Sequence, residues 1–237
     1  MTVSVVVPVK DEAGNVAALA REIAAALTAE PAHEILFVDD GSTDGTAERL
    51  SALKDEIPNF RPLRHDRNLG QSRGIHTGIR AAKGEIIVTL DGDGQNDPAD
   101  IPALLAKLRA DPTLGMVSGV RVKRQDTASR RIASRLGNRF RNAMLGDGAT
   151  DTGCGLKAFH REAFLDIPYF DHMHRYLIAL VQRHGWTVAY VPVNHRSRLT
   201  GRSKYTNLGR TLVSIQDMLG VRWLQRRHGG RTKIEEL

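Results

Sequence analysis

Two aspartates one residue apart, Asp91 and Asp93, with glycines at 92 and 94 and then Gln95, Asn96 and Asp97, carry the most obvious chemistry of this 237-residue chain. They follow Glu85-Ile86-Ile87-Val88-Thr89-Leu90, a short apolar run rich in β-branched residues that reads as a buried strand. A strand that ends in two carboxylates delivers hard oxygen ligands to one point at a sheet edge. Mg²⁺ or Mn²⁺ suits such a pair, because these ions accept a few carboxylates and leave positions for diphosphate oxygens. A calcium loop of EF-hand type is excluded: counting from Asp91, the sixth residue is Asn96, not Gly, and the twelfth is Pro102, not Glu. The plain alternative is a solvated turn, since Asp and Gly are ordinary turn residues.

Two more acidic pairs stand directly after apolar runs: Asp11-Glu12, and Asp39-Asp40 followed by Gly41-Ser42-Thr43-Asp44. A carboxylate at Asp39 or Asp40 could accept hydrogen bonds from a base or ribose. Neither Gly-x-Gly-x-x-Gly nor a Gly-x-x-x-x-Gly-Lys-Ser/Thr loop is present, which argues against a dinucleotide oxidoreductase or a P-loop ATPase.

The elements that must position these residues alternate. Strands are expected over Thr2 to Val9, Glu34 to Asp40, Phe60 to Arg64, Glu85 to Leu90 and Gly115 to Val120. Helices are expected between them: Ala13 to Ala29, a segment capped by Ser42 or Asp44 and running to about Glu56, Asn68 to Ala82, and Pro98 to about Ala110. This is the pattern of βαβ units and a mostly parallel sheet, an α/β fold in which ligands sit at the carboxyl ends of strands. The three acidic pairs would then meet on one edge. From Val122 the pattern changes. A basic helix is expected over Asp126 to Leu145, a Gly-rich turn and short strand over Asp151 to Phe159, a helix over His172 to Gly185 and a strand over Trp186 to His195. A polar loop, Arg198 to Lys204, leads into an amphipathic helix, Asn207 to Arg227, with Leu208, Leu212, Ile215, Leu219 and Trp223 on one face.

Composition bounds the partners. The chain is 41% hydrophobic with a formal net charge of +7, enough to bury a core and biased toward anionic partners. Carboxylates concentrate in the first half and arginines in the segments 121–141 and 196–231. The single Cys154 excludes an intramolecular disulfide and a four-Cys zinc site, fits a reducing compartment, and reads as packing in preference to nucleophile. His172 and His174 are too poorly spaced to be a ligand pair. Neither a signal peptide nor a transmembrane helix is expected. The basic stretches are nearly without aromatics, which argues against a single-strand nucleic-acid binder.

Val6-Val7-Pro8-Val9-Lys10-Asp11-Glu12, Val38-Asp39-Asp40-Gly41-Ser42-Thr43-Asp44, Asn68-Leu69-Gly70 with Gly84-Glu85, and Asp91-Gly92-Asp93 resemble the family 2 glycosyltransferases. Asp91 to Pro98, Asp151 to Lys157 and Arg198 to Tyr205 resemble, more narrowly, the dolichyl-phosphate mannosyltransferases and bacterial polyprenyl-phosphate glycosyltransferases. The resemblance covers about residues 2–227. It implies a GT-A nucleotide-sugar fold, with residues 1–206 as the glycosyltransferase catalytic domain and 207–237 as an amphipathic helix and tail. It implies a nucleotide-binding set of Pro8, Lys10, Glu12, Val38, Asp40, Asp91 and Gly92, and a metal and diphosphate set of Asp91, Asp93 and Gln95. Lys10 and Asp11 depart from the aromatic and Asn common there. Arg121 and Arg130 match positions implicated in acceptor-phosphate binding, and Arg198 and Lys204 a mobile loop that closes on the diphosphate.

The reading that follows is inverting, Mg²⁺- or Mn²⁺-dependent transfer of a sugar from a UDP- or GDP-sugar to a polyprenyl or dolichyl phosphate, with Asp93, Arg121, Arg130, Arg198 and Lys204 as the catalytic set. A phosphate acceptor needs no general base, whereas a saccharide hydroxyl would, and a carboxylate near Asp151 is where that base is expected. The hydroxyl acceptor in cell-envelope polysaccharide synthesis is the alternative. A non-catalytic nucleotide-sugar-binding subunit is another. The arginine run 121–141 reads either as a solvated basic face or as acceptor-phosphate contacts. The last helix reads as a core or dimer helix or as one lying on anionic lipid. The expected location is cytoplasmic, peripheral at the inner face of the cytoplasmic membrane, with homo-oligomers open and nucleic acid not a partner.

Overall fold

A computed structural model describes residues 2–122, 128–197 and 207–227, with side chains from 137 in the second stretch and from 213 in the third. Among the described residues one sheet holds seven strands: β1 (Val3–Val9), β2 (His33–Asp39), β3 (Phe60–Arg64), β4 (Ile86–Thr89), β5 (Leu114–Arg121), β6 (Lys157–His160) and β7 (Thr187–Val193), in the order β3-β2-β1-β4-β6-β5-β7. All pairings are parallel except those of β6, which runs antiparallel to both β4 and β5. Helices α1 (Val16–Ala26), α2 (Thr46–Ala52), α3 (Gln71–Ala81), α4 (Ile101–Arg109), α5 (Ala128–Leu145), α6 (Arg161–Leu165), α7 (Leu177–Arg183) and α8 (Asn207–Arg226) flank it.

Both faces of the sheet are covered, which is why its strands read as continuous apolar runs. Val3, Val5, Val7 and Val9 of β1 join one core with Leu19 and Ile23 of α1 and Leu104, Leu105 and Leu108 of α4. Val6 faces the other core, with Ile75 and Ile79 of α3, Phe164 of α6, Leu177 and Leu180 of α7, and Met218 and Val221 of α8. This is the expected mixed α/β architecture.

The departures have local causes. Helix α3 starts at Gln71, not Asn68, because Gly70 has φ +89° and the Leu69 and Gly70 N–H groups are drawn to Asp40. Helix α2 starts after Gly45 (φ +88°), with Asp44 accepting from Thr46 N–H at 3.1 Å, and ends at Ala52 in a series of short turns. The expected helix from His172 is broken into a 3₁₀ turn, Met173–Arg175, and α7, with His172 itself at φ +65°. In α8 three residues of the apolar stripe picked out by spacing face outward: Ile215, Leu219 and Trp223 are exposed, Leu219 at 56% and Trp223 at 58%, while the side chains of Leu208 and Leu212 lie outside the described residues. Met218 and Val221 are the residues that reach the core. That overturns the core-helix reading for this stripe. Among the described residues no helix is long and apolar enough to cross a membrane.

Candidate active site

The carboxyl ends of β1, β2, β4 and β5 gather the predicted residues, and the amino end of the reversed strand β6 joins them. The loops after β1 and β2 are stitched together. Lys10 Nζ donates to Gly41 O at 2.8 Å, Asp11 N–H to Ser42 Oγ at 2.8 Å, Glu12 N–H to Thr46 Oγ1 at 2.9 Å, and Thr43 N–H to Asp11 Oδ1 at 2.9 Å. Glu12 also accepts from Asn15 Nδ2 at 2.6 Å.

Two of the expected nucleotide residues are engaged within the fold itself. Val38 is fully buried and its side chain packs toward Gly78 of α3, so only its main chain is at hand for a nucleotide. Asp40 is also buried, and both its oxygens are committed: Leu69 N–H at 2.9 Å, Gly70 N–H at 2.7 Å and His65 Nδ1 at 2.8 Å. Its immediate task is to pin the loop that opens α3. Its neighbour Asp39 accepts from Ser42 N–H at 2.9 Å through one oxygen, while the other lies 3.3 Å from Arg64 Nε without a hydrogen bond.

Gly92 carries the acidic loop close to β1. A Cβ there would lie 2.5 Å from Val9 Cγ1 and 3.0 Å from Pro8 O, so the close approach of the loop to the end of β1 requires glycine. Asp91 N–H donates to the buried Asn96 Oδ1 at 3.1 Å, and Asp91 Oδ1 accepts from Gln71 Nε2 at 2.8 Å. Asp93 Oδ1 accepts from Gln95 N–H at 3.1 Å across Gly94 (φ +73°). Burial first, and then the charge of Asp93, push the Asp91 carboxyl up to about 6, while Lys157 and Arg121 pull the other way.

Lys157, the first residue of β6, is buried and donates to Cys154 O; burial holds its pKa below the usual lysine value. Arg121, at the end of β5, grips Asp151 in a two-pronged pair, Nε to Oδ2 at 2.8 Å and Nη2 to Oδ1 at 2.7 Å, with its own N–H adding 3.1 Å to Oδ2. Beside Asp91 a cleft of about 440 Å³ opens toward Gln71, Ser72, Thr152, Lys157 and His174. Ser72 Oγ and His174 Nδ1 are 2.7 Å apart in its wall.

Among the described residues no three His, Cys, Asp or Glu side chains converge as a self-contained metal cage. The residues fit a cation held more sparsely. Asp91 and Asp93 repel one another strongly enough to help retain a proton near pH 6, and an oxygen-seeking divalent ion relieves that repulsion while leaving coordination positions for phosphate.

A pH dependence follows. The Asp91 carboxyl ionises near 3.8 in the unfolded chain and at about 6 in the fold. In that window the fold holds a proton the unfolded chain has lost, so this group's contribution to cation-free stability falls as pH rises from about 4 to about 6. A cation must displace the same proton. Thermal stabilisation by Mn²⁺ with a nucleoside diphosphate is therefore expected to be full above about pH 7 and to fade below about pH 6. Melting curves across that range check it.

Of the predicted residues, the structure brings Asp93 and Arg121 within electrostatic reach of Asp91 and sets Pro8 close to Gly92. Lys10 and Glu12 sit in the stitched loops. Arg198 and Lys204 lie outside the described residues, as does the side chain of Arg130. Gln71, Ser72 and Lys157 are not site candidates from the sequence, and His174 enters there only as a rejected ligand pair with His172. Asp151 and Lys157 bracket one quoted motif, which was their signal; Gln71 and Ser72 carried none.

Residues 4–167 match Glycosyl transferase family 2. The chain is 37% identical over 206 residues to an undecaprenyl-phosphate 4-deoxy-4-formamido-L-arabinose transferase of Enterobacter sp. (strain 638), covering 86% of this chain and 62% of that protein. It is 33% identical over 237 residues to a dodecaprenyl-phosphate galacturonate synthase of Rhizobium johnstonii, covering 95% of this chain and 68% of the relative. The chain thus spans about two thirds of the length of these relatives. In fold it is similar to a mannosyltransferase of Pyrobaculum calidifontis solved with GDP-Man and Mn²⁺ (TM-score 0.68, 23% identity, 98% of this chain and 65% of that one). It is also similar to glucosyl-3-phosphoglycerate synthase of Mycobacterium tuberculosis solved with Mn²⁺, UDP and glucosyl-3-phosphoglycerate (TM-score 0.70, 20% identity, 98% and 81%). The architecture is that of the GT-A glycosyltransferases. The acidic turn after β4 and the stitched loops after β1 and β2 lie within the matched span, and the chain belongs to glycosyl transferase family 2.

Proposed function

We propose that the chain transfers a glycosyl group from a nucleoside diphosphate sugar to a polyprenyl phosphate, with inversion at the anomeric carbon. The observation that carries this is the pairing of Asp91 and Asp93 at the sheet edge, backed by Lys157 and Arg121 and opening on the cleft. Asp91 and Asp93, with Gln95 beside them, would hold a Mg²⁺ or Mn²⁺ ion, which would supply positive charge to the departing diphosphate. Lys10, Glu12 and the Pro8 end of β1 form the nucleoside side, with Asp40 acting through the Leu69-Gly70 loop it holds. The transferred sugar occupies the cleft beside Asp91. Arg198 and Lys204 close on the diphosphate, and Arg121 with Arg130 orients the acceptor phosphate. An oxygen of that phosphate attacks the anomeric carbon as the bond to the diphosphate breaks, and the nucleoside diphosphate leaves.

Support for a phosphate acceptor comes from the names of the relatives and from Asp151. A hydroxyl acceptor calls for a base, expected near Asp151, and Asp151 itself has both oxygens occupied by Arg121. A phosphate is anionic already. The outward stripe of Ile215, Leu219 and Trp223 on α8, with Phe140 exposed on α5 and Arg226 and Arg227 nearby, supports peripheral contact with an anionic membrane face, on the cytoplasmic side where nucleotide sugars are available.

The test is a screen of UDP- and GDP-sugars with polyprenyl phosphate and Mn²⁺. Wild type is expected to transfer from at least one donor, and Asp93→Ala to lose roughly 10³-fold in rate together with its Mn²⁺-dependent thermal shift. Transfer by Asp93→Ala at the wild-type rate would sink the cation role. Transfer to saccharide hydroxyls but not to polyprenyl phosphate would replace the acceptor.

A further inference from the structure

After β7 the chain turns back along the acidic loop. Asn194 N–H donates to Asp100 Oδ2 at 2.7 Å, His195 forms an antiparallel bridge with Asn96, and Arg196 N–H donates to Gln95 O at 2.9 Å. The Arg196 guanidinium then spans two carboxylates from different elements: Nη2 lies 2.7 Å from Asp97 Oδ1, and Nη1 lies 2.5 Å from Glu22 Oε2 on α1. Asp97 is the better buried of the two, 15% exposed against 43% for Glu22. The same Asp97 oxygen accepts from Ala99 N–H at 3.0 Å, capping the 3₁₀ turn Pro98–Asp100 that leads into α4.

The acidic loop is thus fastened at two ends. Asn96 holds the Asp91 end through its side chain, and Arg196 holds the far end through Asp97 and the Gln95 carbonyl. Between the fastenings lie Asp93, Gly94 and Gln95, a turn that depends on the positive φ of Gly94. Two glycines in five residues give this loop many alternative shapes, so restraint has to come from outside it. A loop ordered before the ligand arrives binds more tightly than one that must be ordered on binding.

We infer that Arg196 is a positioning residue for the cation loop, acting through Asp97 and Gln95 to present Asp93 and Gln95 in one geometry. The inference rests on the reading that Asp91 and Asp93 hold a divalent cation. Arginine suits the task because its planar fork reaches two carboxylates at once; a lysine in its place reaches one.

The experiment measures Mn²⁺ affinity of the full chain, by the electron paramagnetic resonance signal of free Mn²⁺ in the presence of GDP or UDP, alongside the cation-free melting temperature. Arg196→Gln is expected to weaken Mn²⁺ binding about five-fold and Arg196→Lys about two-fold. The cation-free melting temperature stays within about 2 °C, since ion pairs this exposed contribute little to stability. Combined with Asp97→Asn, the Arg196→Gln effect is expected to be less than additive, because the two act through one contact. Wild-type Mn²⁺ affinity in Arg196→Gln, alongside loss of binding in Asp93→Ala, overturns the inference alone. Unchanged Mn²⁺ affinity in Asp93→Ala overturns the cation reading beneath it. Should Arg196→Gln melt well below wild type, Asp97→Asn decides, since it weakens the Asp97 contact and leaves Arg196 paired with Glu22: weaker Mn²⁺ binding at an unchanged melting temperature upholds the role, and unchanged binding overturns it.

Discussion

Gly155→Ala is expected to abolish the response to divalent cations and to lower glycosyl transfer roughly a hundredfold or more, with the fold retained. A Cβ at this position would lie 2.4 Å from Asp91 Oδ2, 2.5 Å from its Cγ and 2.7 Å from Oδ1. Neither partner has room to retreat. Asp91 is pinned through its main chain to Asn96 and through its carboxylate to Gln71, and Gly155 O accepts from Thr89 Oγ1 at 3.0 Å. Overpacking of this kind costs about 1–3 kcal/mol when it must be absorbed by displaced atoms. Here the atoms displaced are the proposed cation ligands, so function should fall further than stability. Gly153→Ala is the comparison. Its Cβ would meet Arg121 Nη2 at 2.9 Å, the end of a long side chain, and a much smaller loss is expected. Steady-state transfer and Mn²⁺ titrations, with circular dichroism melts in the absence of metal, separate the two. Wild-type Mn²⁺ affinity in Gly155→Ala would mean that Asp91 does not bind the ion from this position.

The second large effect is one of stability. Asp151→Ala leaves the Arg121 guanidinium, only 15% exposed, without its counter-charge. Breaking such a pair from one side costs about 3–5 kcal/mol. For a chain of this size that corresponds to a fall of roughly 10 °C in melting temperature. Asp151→Asn keeps a carbonyl acceptor toward Arg121 and should lose less than half as much. These variants also test the alternative chemistry. A general base at Asp151 predicts that the Asn variant melts near wild type and is inactive. A structural partner predicts that activity follows the melting temperature, with polyprenyl phosphate still accepted by the Asn variant below its melting point.

The parts of this molecule most legible in its sequence are those where one residue type serves both local geometry and chemistry. The valines of β1 announce a strand buried on both faces, and Asp91-Gly92-Asp93 announces where β4 ends, because a carboxylate pair cannot continue into the core. The parts that escaped depend on contacts far apart in the chain. Asp40 reads as a ligand residue because it follows β2; only the fold shows Leu69 and Gly70 turned back upon it. The stripe Ile215, Leu219 and Trp223 has the periodicity of a buried face, yet periodicity reports a shared face and not the direction in which it points. The reversal of β6 left no local trace at all, since a four-residue strand reads the same in either direction.

That reversed strand has a consequence for how the molecule assembles. Without Lys157–His160, the sheet is two separate pieces, β3-β2-β1-β4 on one side and β5-β7 on the other. Four residues join them, and 67 residues separate the end of β4 at Thr89 from the start of β6 at Lys157. Contacts that close so long a stretch of chain form late. The strand that completes the sheet is also the one whose first residue, Lys157, brings positive charge to Asp91. Hydrogen exchange at the amides of 157–160 during refolding is therefore expected to lag behind that of β1 and β2, and binding of Mn²⁺ with nucleotide to appear only as those four amides become protected. Folding and activation of the site would then be timed by a single, late latch.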